Sequence, residues 1–183
     1  MRILSLLGMP FLLANIVSAQ PEHKTEVFGA IGPGWITDNS GALGKGLNGG
    51  GGIGFRVSPK LGLEAEVNAY RQERQFGAQF SRYSSRGAFM VANALRYWGR
   101  GRVQCYLIGG GGMLYYRNAA DSGGAPGRSG ISWAIDMGAG AKIFVRKNLS
   151  IRPDLRIFGG SGGGAIDGPF SSTRLSMGAG YHW

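Results

Sequence analysis

The chain has 183 residues, with 20 Lys+Arg against 10 Asp+Glu for a net charge of +10, and 35 Gly among 43% hydrophobic and 11% aromatic residues. Glycine follows no every-third-residue repeat, which excludes collagen, and the apolar content excludes simple disorder. It sits inside apolar runs such as 49–55, 107–114 and 137–144, where a helix would lose about 1 kcal/mol per Gly relative to Ala, so long helices are excluded.

The length suits one domain plus a targeting segment. Residues 1–20 read MRILSLLGMPFLLANIVSAQ: one early charge at Arg2, an apolar core from Ile3 to Val17, and small residues at Val17 and Ala19. This is the layout of a secretory signal peptide cleaved after Ala19, leaving 20–183 as the mature domain. The core, interrupted by Pro10 and Asn15, falls short of the ~20 residues a spanning helix needs. The positive charge is spread without a Lys/Arg block, so no nucleic-acid partner is expected. The single cysteine, Cys105, excludes an internal disulfide and a cysteine-based zinc knuckle.

Period-two patterning predicts eight strands, near 25–36, 46–58, 60–71, 84–98, 102–117, 130–146, 148–159 and 170–183. Gly29, Gly32 and Pro33 make the first too irregular for its phase to be assigned. In the third, Leu61, Leu63, Ala65, Val67 and Ala69 alternate with Gly62, Glu64, Glu66 and Asn68. The fourth is expected to turn Phe89, Val91, Leu95 and Tyr97, with Asn93, to the apolar side, because the opposite phase exposes Arg86 and Arg96. The sixth sets Ile131, Trp133, Ile135 and Met137 against Asp136 and Lys142. The seventh sets Leu149, Ile151, Pro153, Leu155 and Ile157 against Ser150, Arg152, Asp154 and Arg156. The last sets Leu175, Met177, Ala179, Tyr181 and Trp183 against Arg174, Ser176 and His182.

The connections alternate in length. Those near Ser58–Pro59, Gly99–Gly101 and Lys147–Asn148 are tight, and those over Thr37–Lys45, Gln72–Tyr83, Asn118–Ser129 and Gly160–Pro169 are long. An up-and-down transmembrane barrel has this rhythm, short turns on the periplasmic side and longer loops outside. In lipid only a closed sheet satisfies every backbone polar group. A soluble barrel with its apolar face inward has the same periodicity. Aromatics near strand ends (Trp35, Tyr70, Tyr97, Trp98, Tyr115, Tyr116, Trp133, Tyr181, Trp183) favour lipid, as interfacial girdles.

The chain ends Ser176-Met177-Gly178-Ala179-Gly180-Tyr181-His182-Trp183. This resembles the C-terminal assembly signal of bacterial outer-membrane barrels, with Ser176, Gly178, Tyr181 and Trp183 at its specified positions. Together with the loop rhythm, the mature chain is similar to the small OmpA/OmpX-type group. The resemblance implies an all-β, eight-stranded antiparallel up-and-down barrel in the bacterial outer membrane, a transient partner in the barrel-assembly machinery, and a monomer among outer-membrane lipids. No periplasmic peptidoglycan-binding domain is expected after Trp183, so that function of the larger relatives is not implied.

On this reading the lumen receives Arg56, Glu64, Glu66, Arg96, Asp136, Lys142, Arg152, Asp154, Arg156 and Arg174. An eight-stranded barrel is just filled by its side chains, so these form a salt-bridged plug, or a narrow anion path favoured by the basic surplus. Glycines on the lumen phase (Gly50, Gly52, Gly54, Gly110, Gly112, Gly138, Gly140, Gly178, Gly180) leave room for the long side chains. The segment 70–86, YRQERQFGAQFSRYSSR, interleaves Arg71, Arg74, Arg82 and Arg86 with Phe76, Phe80 and Tyr83. It is a candidate contact for lipopolysaccharide phosphates or another external anion, or a solvated hairpin tip. No enzyme is expected: neither His23 nor His182 has a Ser and a carboxylate at a persuasive spacing. Two distant histidines and one cysteine offer no metal site, and no cofactor is expected. A narrow pore and a lipid A-modifying enzyme are the alternatives to a structural or surface-interaction role.

Overall fold

Alternation of apolar and polar residues makes each segment a two-faced strand, and a sheet of such strands buries its backbone polar groups completely only by closing. The computed structural model describes residues 24–38, 44–76, 80–99, 101–120, 129–162 and 168–183; the expected leader lies outside the described residues. Eight strands, β1 (Thr25–Asp38), β2 (Gly44–Ser58), β3 (Leu61–Phe76), β4 (Phe80–Trp98), β5 (Val103–Ala120), β6 (Ser129–Arg146), β7 (Leu149–Gly162) and β8 (Gly168–His182), follow one another. They pair antiparallel in chain order, and β1 pairs with β8 to close a barrel. At the seam Thr25 and Trp183 exchange backbone hydrogen bonds of 3.2 and 3.1 Å.

The tight turns have local causes. Ser58 Oγ accepts from the backbone N–H groups of Lys60 (3.3 Å) and Leu61 (3.1 Å), folding the chain around Pro59. Between β4 and β5, Gly99 and Gly101 take φ of 99° and 71°, which only glycine adopts without strain. At the other end the structure shortens one expected loop. Strands β3 and β4 remain paired from Gln72↔Ser85 to Phe76↔Phe80, with a register irregularity at Gln75/Phe76, and over 74–76 and 80–82 the pair extends beyond its neighbours as a two-stranded ribbon. Its alternation fades because neither face there has to match lipid, while the backbone ladder continues.

Faces in β3, β6, β7 and β8 follow the sequence pattern, with the apolar set outward. Strand β1 acquires a phase: Glu26, Phe28 and Ile36 are buried, while Val27 and Ile31 are exposed. Strand β4 corrects the expectation. Phe89, Val91, Asn93, Leu95 and Tyr97 point inward and are buried, and Arg86 and Arg96 face outward. The reason is spacing. A charge costs ~2–4 kcal/mol at a bilayer midplane but only ~0–1 near the interfaces. Ten residues separate Arg86 from Arg96, about 33 Å of strand or about 25 Å along the normal at a ~40° tilt, the height of the apolar band. The two arginines bracket that band.

The expected aromatic girdle is corrected too. Trp98, Tyr115, Trp133, Tyr181 and Trp183 are exposed on the outer wall, but Tyr70, Tyr97 and Tyr116 are buried inside. Inward glycines face inward aromatics in register: Phe28↔Gly52, Tyr70↔Gly87, Tyr106↔Gly140 and Phe170↔Gly160. Added Cβ atoms at these four glycines would meet the facing rings at 2.8 Å or less, so each ring occupies the space its glycine leaves. The interior has an apolar cluster toward the long-loop end (Tyr70, Phe89, Val91, Leu114, Tyr116, Phe158, Phe170 among its members). A smaller one, Leu95, Tyr97, Tyr106 and Ile108, lies toward the short-turn end.

Candidate functional site: the filled lumen

Between the two apolar clusters lies a continuous ionic network, built where the polar phases of β1, β3, β6, β7 and β8 converge. Its centre is Arg156, fully buried on β7. Its Nε donates to Asp154 Oδ1 (2.8 Å), Nη1 to Asp136 Oδ2 (2.7 Å) and Nη2 to Glu64 Oε1 (2.8 Å), with Glu66 Oε2 at 3.2 Å. Arg174 Nη1 donates to Glu66 Oε1 at 2.6 Å on the long-loop side. Toward the short turns, Arg152 Nη2 donates to Glu64 Oε2 (2.6 Å) and its Nε to the Tyr106 hydroxyl (2.8 Å). That hydroxyl donates onward to Asp154 Oδ2 (2.5 Å). Lys142 pairs with Glu26 and donates to the Tyr97 hydroxyl at 3.1 Å.

Cations also lie on rings: Arg152 is 4.0 Å from the Phe28 centroid and Arg174 5.4 Å from that of Phe158. Burying an unpaired ion costs several kcal/mol, so a dry interior tolerates charge only when it is paired. Among the described residues, four buried cations (Lys142, Arg152, Arg156, Arg174) stand against five buried carboxylates (Glu26, Glu64, Glu66, Asp136, Asp154). The basic surplus of the chain is therefore not in the lumen.

Of the ten residues expected inside, eight are buried in this network. Arg56 is half-buried at the short-turn mouth, donating to Gln104 Oε1 at 2.5 Å and lying 4.3 Å from the Tyr97 ring centroid. Arg96 is a correction: it is exposed on the outer wall, in register with Leu61 and Leu107. The sequence reading missed Glu26, hidden by the uncertain phase of β1, although Val27 and Ile31 mark the opposite face. Tyr97 and Asn93, expected on the lipid side with the rest of β4, also line the lumen, where Tyr106 of β5 stands in register with Tyr97.

The structure revises one catalytic reading. Ser150 Oγ lies 2.8 Å from His182 Nε2, and Glu26 Oε1 lies 3.7 Å from the same nitrogen. Strand pairing supplies this proximity, which sequence spacing cannot reveal. A nucleophile–base–carboxylate relay needs its serine and its acid on opposite ring nitrogens, whereas here both meet Nε2, and Ser150 is fully buried. A cavity of about 20 Å³ beside Glu26, Lys142 and His182 has room for about one water. No group of three or more His, Cys, Asp or Glu able to hold a metal occurs among the described residues. Cys105 is half-exposed on the outward face with Val103 and Leu107.

Toward the long-loop end the lumen closes on aromatic packing, with Phe89 and Phe158 stacked at 4.4 Å. Outside it, Arg71 and Arg86 are exposed register partners. Arg74, Phe76, Phe80, Arg82 and Tyr83 belong to the paired extension of β3 and β4, and their side chains lie outside the described residues. In the terminal motif, Ser176 is buried and Gly178 shares its inward phase, while Tyr181 and Trp183 are exposed and stack with centroids 6.0 Å apart.

Three solved structures share this architecture. Neisserial surface protein A aligns over 87% of this chain and 97% of its own at 17% identity with a TM-score of 0.67. Ail, the attachment invasion locus protein of Yersinia pestis, aligns over 88% and 99% at 15% identity with a TM-score of 0.54. The N-terminal β-barrel domain of Pseudomonas aeruginosa OprF aligns over 88% and 98% at 15% identity with a TM-score of 0.53. No curated protein sequence matches the chain. Residues 4–182 match the outer membrane protein beta-barrel domain, and the alternating faces, closed eight-strand sheet and terminal motif agree with that match: the chain belongs to the family of outer membrane β-barrels.

Proposed function

We propose that this outer-membrane barrel is a closed structural and surface-interaction protein, neither a pore nor an enzyme. The observation that carries the reading is the filling of its cross-section, where Arg156 is held by four carboxylates within 3.2 Å beneath the Phe89–Phe158 stack. An ion crossing this layer would have to break several charge-assisted bonds at once. Planar-bilayer recording on the refolded protein tests it: no resolved current steps are expected, and reproducible unitary conductance would overturn the closed-lumen reading. Lipid A from expressing cells is expected to be chemically unchanged by mass spectrometry.

The short turns face the periplasm and the β3–β4 extension faces outward, as in barrels of this kind. That extension, with Arg71, Arg74, Arg82 and Arg86 beside Phe76, Phe80 and Tyr83, offers guanidinium forks and apolar surface to lipopolysaccharide phosphates or another external anion. Export with cleavage after Ala19 gives Gln20 as the mature N-terminus, which terminal sequencing of the membrane-embedded protein reads directly. Tyr181 and Trp183, exposed at the periplasmic rim, are the residues the assembly machinery would read, and the folded barrel is a monomer.

A further inference from the structure

Among the side chains described, those of five carboxylates are interior and the charges exposed on the outer wall are cationic, while the side chains of Asp38 and Glu73 lie outside the described residues. Three of the exposed cations stand side by side. Arg71 on β3 is in register with Arg86 on β4, which is in register with Arg117 on β5, and all three are exposed on the outward face. Lys45 on β2 is diagonal to Arg71, since Leu47 is the partner of Arg71 and Lys45 that of Glu73. Like charges directly opposite across a ladder destabilise it, and strands about 4.8 Å apart confine the three arginines to a short arc. Such a row persists without penalty where anions from outside neutralise it.

Its height identifies the anion. From Leu61 at the periplasmic start of β3, Arg71 is ten residues on, about 33 Å along the strand and about 25 Å along the normal at ~40° tilt, the full apolar band. The row lies at the outer headgroup boundary. Directly below it the outward positions are Gly49, Ala69 and Ala88, in register. Gly49 and Ala69 floor a groove of about 600 Å³ bordered by Lys45, Leu47, Arg71 and Arg86. A second groove of about 490 Å³ lies deeper, over Gly51, Ala65, Ala92 and Gly111. Phosphate-level cations above a depression in the wall at acyl-chain depth match one occupant: the phosphorylated, multiply acylated glycolipid of the outer leaflet.

We propose that Arg71, Arg86 and Arg117 form a seat for a single lipid A headgroup, with Lys45 at its edge and acyl chains lying in the groove over Gly49 and Ala69. The seat deepens the lipopolysaccharide-contact reading above and rests on it, but moves the contact from the protruding hairpin to the barrel wall and adds β5.

The test uses the full chain folded in detergent micelles and titrated with diphosphoryl lipid A, bound lipid being counted by native mass spectrometry. Retained heat-modifiable gel mobility first shows that each variant is folded. One lipid per barrel is expected, with affinity falling at least about tenfold in R71Q/R86Q/R117Q, the equivalent of losing one charge-assisted contact. The same loss is expected for the wild type with dephosphorylated lipid A. A69W, which fills the groove and leaves the arginines intact, is expected to weaken binding as well. Unchanged affinity in the triple variant, or no preference for the phosphorylated lipid, overturns the seat. If R74Q/R82Q loses binding while R71Q/R86Q/R117Q keeps it, the hairpin contact stands and the wall seat fails; if neither loses it, both fail.

Discussion

Replacing Arg156 by Met measures how much of the barrel's stability depends on its central ion. The guanidinium is fully buried and spans carboxylates on three strands: Asp154 on its own β7, Asp136 on β6, and Glu64 and Glu66 on β3. Methionine fills a similar volume but leaves these four acids facing one another with one cation fewer. Breaking a buried ion pair by removing one partner costs about 3–5 kcal/mol, and R156M should fall in that range. Arg156→Lys keeps the charge but not the fork that reaches three directions, and should lose about 2 kcal/mol, the order of one charge-assisted hydrogen bond. The assay is urea unfolding of the refolded protein in micelles, followed by tryptophan fluorescence, with the midpoint shifting at constant slope. Adding Asp136→Asn to R156M should recover about 1 kcal/mol or more, as coupled groups do. A loss in R156M below about 1 kcal/mol would refute the claim that this residue neutralises the interior.

Gly140→Val would drive a side chain into the Tyr106 hydroxyl, which bridges Arg152 and Asp154; a loss of about 2–3 kcal/mol is expected in the same unfolding assay from strain and a broken bridge. Phe89→Ala removes a ring stacked on Phe158 and should cost about 3–5 kcal/mol. No single-channel current should appear in this variant, because the Arg156 layer beneath remains shut. The phase of β4 is read by cysteine scanning in a Cys105→Ala background. Ala94→Cys, on the outer wall, should react with a lipid-soluble maleimide, and Asn93→Cys, buried inside, should not; the reverse pattern would restore the phase expected from sequence.

The strand count, order and closure were legible because the alternation of β3, β6, β7 and β8 is imposed by two chemically opposite surroundings. The ionic network was legible for the same reason, since a charge mid-strand has nowhere to go but inward. What escaped was every place where the lumen is itself apolar. Phe89, Val91 and Leu95 carry the residue types of a lipid face, yet they fill the interior, where β4 supplies the apolar packing at both ends of the ionic layer. A charge outside is prohibitive only at the midplane, and the ten-residue interval between Arg86 and Arg96, the thickness of the band, is the signal in the sequence that fixes the phase of β4. Ser150, His182 and Glu26 come from three strands, so their contact has no signature in spacing along the chain.

Charge and glycine then have one explanation. A net charge of +10 reads along the sequence as an even scatter, but folding sorts it by dielectric. In the filled lumen a buried ion is costly without its counter-ion, and the carboxylates whose side chains are described lie inside, nearly matched by buried cations. The surplus among the described side chains is left at the two ends of the wall, as at Lys60 and Arg96 on the short-turn side and Arg71, Arg86 and Arg117 on the other. Packing paired Arg and Tyr side chains into so narrow a tube requires facing positions with no side chain at all. Inside, glycine yields that space, as Gly140 does to Tyr106 and Gly138 to Arg156. On the outer wall, Gly49 and Gly51 leave depressions beneath the exposed arginines. The glycine excess is therefore a consequence of closing eight strands around a charged interior, and the basic excess is what that nearly balanced interior leaves outside.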